Sequence, residues 1–86
     1  MDERLVGRVT HYFSKIQVAV VEVTDCGLRI GDTIRVLGST THFTQELASM
    51  QIDHAPVQSV QIGNLVGIEV SQRARVNDLV YLTQHR

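Results

Sequence analysis

Eighty-six residues, 43% hydrophobic and 20% charged, suffice for one compact core and exclude a disordered chain, which would be less hydrophobic and more highly charged. A net charge of −1 excludes the broad basic surface with which tight nucleic-acid binders neutralise phosphates. The lone cysteine, Cys26, excludes an internal disulfide; with an acidic Met1-Asp2-Glu3-Arg4 start and no aliphatic run longer than Val18–Val21, the chain reads as cytoplasmic, with no leader and no membrane span.

Strands are expected first at Leu5–Val9 and Ile16–Val23, both short and rich in β-branched residues. Between them, His11-Tyr12-Phe13 ends the first strand, with Phe13 assigned to the core and Tyr12 to a half-buried site at one end of the fold. Gly31–Leu37 is the next strand. In Thr41–Asp53, Phe43, Leu47 and Met50 fall at helical spacing, but His42, Thr40, Thr41 and Thr44 are poor helix formers. The segment is therefore predicted as a strand with a bulge near Ser49. Ala55-Pro56 should break it, because proline has no amide for a central ladder. Val57–Ile62 then reads as a loop or one helical turn. In Leu65–Val70, alternation places Val66, Ile68 and Val70 on one face, and in Val76–Leu82 it does the same for Val76, Val80 and Leu82.

A local pattern recurs three times. Ile30-Gly31-Asp32-Thr33-Ile34, Ile62-Gly63-Asn64-Leu65-Val66 and Val76-Asn77-Asp78-Leu79-Val80 align without gaps. Gly and Asn accept positive φ, and Asp or Asn side chains bond nearby backbone, so Gly31, Asp32, Gly63, Asn64, Asn77 and Asp78 are read as turn residues that launch strands. Short strands and tight turns without a helix imply an all-β fold. The expected architecture is a closed antiparallel barrel of six or seven strands, one domain with its core over residues 5–82.

The order Gly7-x-Val9, Lys15, Ala19-x-x-x-Val23, Leu28-x-Ile30-Gly31-Asp32-x-Ile34 and Gly38 resembles the second domain of elongation factor Tu and its relatives. Ser49-Met50-Gln51-Ile52, Gly63-x-x-Val66-Gly67-Ile68 and Asp78-x-Val80-Tyr81 continue the likeness. It is similar also to stand-alone translation elongation factor-like proteins and to the barrel that ends U32 peptidase-related proteins. The resemblance implies a non-catalytic module that contacts RNA, tRNA or the ribosome, or else a protein module that partners a separately encoded U32-type enzyme. The sequence departs from the family's pattern at Asn77, where glycine is usual. It has no phosphate loop, so no nucleotide cofactor is expected.

No catalytic or metal-binding set is expected. His11, His42, His54 and His85 are too dispersed for the paired spacing of zinc sites, and Cys26 lies in a turn whose neighbour Asp25 works against a reactive thiolate. Asp32 and Asp78 are better read as turn residues than as an acid–base pair. The candidate binding residues are cationic and aromatic. Arg4 and Arg8 share one face of the first strand, Arg73 and Arg75 lie at even spacing before the last, and Tyr12 and Lys15 flank the first strand's end. Were the first and last strands neighbours, these six would form a strip suited to stacking and phosphate contact; a solvated outer face predicts the same pattern.

Overall fold

The computed structural model describes residues 3–83 and contains only strands and turns among them. The first hairpin joins β1 (Arg4–Phe13) to β2 (Val18–Val23). Then come β3 (Leu28–Arg29), β4 (Thr33–Leu37), β5 (His42–Glu46), β6 (Met50–Ile52), β7 (Ala55–Pro56), β8 (Ser59–Val60), β9 (Leu65–Glu69) and β10 (Leu79–Leu82). Eight of these form one sheet in the order β5-β4-β10-β1-β2-β9-β6-β7, and β3 pairs with β8 in a separate ribbon. All pairings are antiparallel.

The strand pattern follows from β-branched residues that bury every second side chain. In β2, Ala19, Val21 and Val23 point inward, and in β9 so do Val66 and Ile68. With Val6, Val9, Ile34, Val36 and Val80 they make one buried cluster. Burying each such side chain contributes roughly 1.5–3 kcal/mol. The Cα radius of gyration is 11.3 Å, close to the ~12 Å of a compact chain of this length.

Several expectations are corrected. The sheet is not closed: among the described residues no backbone ladder joins β5 to β7. Thr41–Asp53 is not one bulged strand either. After β5 the chain turns at Leu47–Ser49, leaves β4 and pairs as β6 with β9, at the other side of the sheet. Ala55-Pro56 does not end the sheet but forms its edge, with Pro56 opposite Gln51; a residue without an amide donor is tolerated there. Val57–Ile62 contains no helical turn, because Ser59 and Val60 pair with Arg29 and Leu28. Val76 does not share the inward face of Val80 and Leu82; it sits in the turn and is 55% exposed. Phe13 is not in the core, and half of its surface meets solvent.

The three repeated segments form the same turn. Gly31, Gly63 and Asn77 have φ of 95°, 99° and 76°. In each case the next residue donates its amide to the carbonyl three residues back: Asp32 to Arg29, Asn64 to Gln61, Asp78 to Arg75. Its side chain also accepts that earlier residue's N–H, at 2.9, 2.8 and 2.8 Å respectively. Positive φ at the third position and the i to i+3 bond define a type II turn. The side-chain bond closes it from the other side, and β4, β9 and β10 start immediately afterwards.

Candidate functional site

The structure sets the candidate residues along β1 and the segment that leads into β10. β1 and β10 are neighbours, so the β1 arginines do lie beside the segment that leads into β10. Arg8 donates to Asn77 Oδ1 at 3.2 Å and pairs with Glu22 at 3.3 Å, so its charge already has a carboxylate partner. The Arg73 guanidinium carbon lies 5.9 Å from the centre of the Tyr12 ring, within cation–π range. Arg75 contributes its backbone amide to the turn before β10, and its side chain is exposed. Arg4 and Lys15 flank opposite ends of β1, a ten-residue strand that spans about 30 Å.

A different surface emerges on the outside of β1, β2, β9 and β6, and the register fixes its pattern. One cross-strand row runs His11, Val20, Gly67, Gln51, Pro56. On one side lies the row Arg8, Glu22, Leu65, and on the other Phe13, Val18, Glu69. Gly67 carries no side chain, so the middle row dips between its neighbours. The result is an open hollow of about 330 Å³ around Phe13, Ile16, Val20, Leu65 and Gly67, bordered by Asp53 and His54. A smaller hollow of about 200 Å³ shares Val18, Gln51 and Gly67 and extends the depression to Ser49, Pro56 and Glu69.

Local structure holds this face in place. The His11 and Phe13 rings stack with centroids 6.3 Å apart, fixing Phe13 on the outer side of β1. Asp53 and His54, with φ of 50° and 66°, form a two-residue hairpin loop with both positions left-handed, as a type I′ turn requires. That loop sets β7 beside β6 at the border of the hollow.

The sequence reading missed this surface by giving Phe13 to the core. A signal was nonetheless present: Leu65 is out of phase with Val66, Ile68 and Val70. Large apolar side chains on the solvent side of strands and turns are binding features before they are chemical ones. Among the described residues no group of three His, Cys, Asp or Glu could hold a metal ion, and the Cys26 thiol donates to the Gly27 carbonyl at 3.4 Å. The arrangement is suited to holding a partner.

No family model matches the chain. It is 40% identical over 78 residues to an uncharacterized protease of Methanocaldococcus jannaschii, covering 90% of this chain and 19% of that protein. It is 31% identical over 77 residues to a collagenase of Porphyromonas gingivalis, covering 88% of this chain and 21% of the other. The chain thus spans about a fifth of the length of the curated relatives it matches. In three dimensions it is similar to the C-terminal domain of a Geobacillus thermoleovorans U32 peptidase. The TM-score to that domain's selenomethionine variant is 0.84, with 18% identity, 90% of this chain and 96% of that one covered. A second structure of the same domain gives a TM-score of 0.81. At this identity the likeness establishes the fold. The proteins named here are proteases or part of a peptidase, and none is a translation factor.

Proposed function

We propose that this chain is a non-catalytic protein-binding module that works with the body of a U32-type peptidase. The carrying observation is the unequal coverage: a stretch that makes up nearly all of this chain makes up about a fifth of a longer protease. A segment of that size with its own buried cluster is an added module, and the remaining four-fifths of such a protein leaves ample chain for a separate catalytic body. The similarity to the C-terminal domain of a U32 peptidase supports the same reading. The module's contribution would be to grip and position, since its most distinctive surface is an apolar hollow.

The test supplies the chain in trans to the M. jannaschii protease shortened by its matched segment, after nuclease treatment, and reads complex formation by size-exclusion chromatography and calorimetry. A nuclease-resistant complex is expected; its absence rejects the reading. A second reading, contact with RNA or the ribosome, has only the exposed arginines in its favour, and Arg8 is already engaged by Glu22. If RNA co-purifies with the chain and is lost in Arg8→Glu/Arg73→Glu while the fold persists, that reading replaces the first.

A further inference from the structure

We infer that the depression across the outer face of β1, β2, β9 and β6 is the docking site for one extended segment of the peptidase body, apolar at its centre and carrying a lysine or arginine. The source of the segment rests on the partner reading above; the surface and its chemistry are read from this chain alone.

Shape comes first. The row from His11 through Gly67 to Pro56 crosses five strands. At about 4.8 Å per strand it is roughly 19 Å long, the length of about six residues of extended chain. Gly67 leaves the middle of the floor open, and a Cβ there would already stand 3.3 Å from both Gln51 Cγ and Val18 Cγ1. Leu65 rises on one side of this floor and Phe13 with Ile16 on the other.

Chemistry then narrows the occupant. Phe13, Ile16 and Leu65 are 50, 60 and 56% exposed around one hollow, a concentration of apolar surface that calls for an apolar side chain between them. Asp53 and Glu69 border the two connected hollows, and neither carboxylate makes an ion pair among the described residues. Glu22, by contrast, is paired with Arg8. An incoming cation therefore completes Asp53 and Glu69, whereas an acidic segment would be repelled by both. The Gln51 amide on the floor offers both a donor and an acceptor to an extended main chain. The length argument points to the body: some four-fifths of the M. jannaschii protease lies outside the matched stretch.

The experiment measures calorimetric binding of the chain to the M. jannaschii protease shortened by its matched segment. Phe13→Ser and Leu65→Ser remove side chains that lie outside the buried cluster, so the chain should still fold with a modestly lowered unfolding temperature while affinity falls about tenfold or more each. Asp53→Asn with Glu69→Gln should weaken binding several-fold and flatten its dependence on salt. Val76→Ser, which removes an equally exposed apolar side chain away from the depression, should bind as the unmodified chain does. Equal affinity of the Phe13 and Leu65 variants and the unmodified chain overturns the docking site and leaves the partner reading standing. No binding by the unmodified chain overturns both. Self-association that Leu65→Ser abolishes, seen by sedimentation equilibrium, assigns the face to a second copy and also overturns the proposal.

Discussion

At Asp78 one carboxylate closes a turn and packs against a distant loop. It is buried, accepts the Arg75 amide at 2.8 Å, and lies where a Cβ on Gly38 would come within 1.9 Å of its Oδ1. Asp78→Ala should cost about 1–3 kcal/mol, because it strands a turn amide in a partly buried place. Gly38→Ala should cost a comparable amount through overlap with the carboxylate. In the double variant the overlap is gone, so the two losses should fall short of additivity by about 1 kcal/mol in urea unfolding; strict additivity would refute the contact. Asn77, at φ 76°, is expected to tolerate glycine and to lose about 1–2 kcal/mol with valine, whose branched Cβ resists that conformation. The turn half of this arrangement is local and can be read from Asn77-Asp78 alone. The part played by Gly38 cannot, because its partner lies forty positions away and only folding brings the two together.

Among the elements, β5 and β7 are the sheet's two edges, and each is guarded differently. Pro56 gives β7 no amide at its position, which blunts pairing with another chain. On β5, the Gln45 side chain reaches the end of β9. Its Nε2 donates to the Glu69 carbonyl at 2.9 Å, and its Oε1 accepts the Ser71 amide at 2.8 Å. One side-chain amide thus stands in for a backbone peptide. Gln45→Ala should lower stability by about 1–2 kcal/mol and speed hydrogen exchange at the Ser71 amide, with little change at Val80 in the sheet centre. Unaltered protection of Ser71 would show that the bridge has no such role. At the middle of the sheet, β1 bends at two register shifts, next to Gly7 and between Val9 and His11. A Cβ on Gly7 would lie 1.8 Å from the Glu22 carbonyl oxygen. That contact is with backbone, so Gly7→Ala should separate β1 from β2 and cost several kcal/mol, as overpacking into an unyielding neighbour does. The strands were legible because alternation is local. The exchange of partners between β5 and β6 was not, because a sequence shows that a segment is extended without showing which strand it will meet.

For the molecule as a whole, one buried cluster spans the large sheet and, through Leu28 and Val60, the small ribbon. Unfolding should therefore occur in a single transition, with backbone and tyrosine signals coincident; two separated transitions would mean that the ribbon folds apart from the sheet. The function follows the outer surface, and there sequence and structure divide the work. The all-β class, the three strand-launching turns and the inward face of β9 follow from the sequence alone, since each depends on residues a few positions apart. Only the tertiary structure decided that the sheet stays open between β5 and β7, that Arg8 is engaged by Glu22, and that Phe13, Ile16 and Leu65 gather round Gly67. Those outcomes depend on which strands lie side by side, and cross-strand neighbours are brought together by burial of the shared core, a property of the whole chain and not of any segment within it.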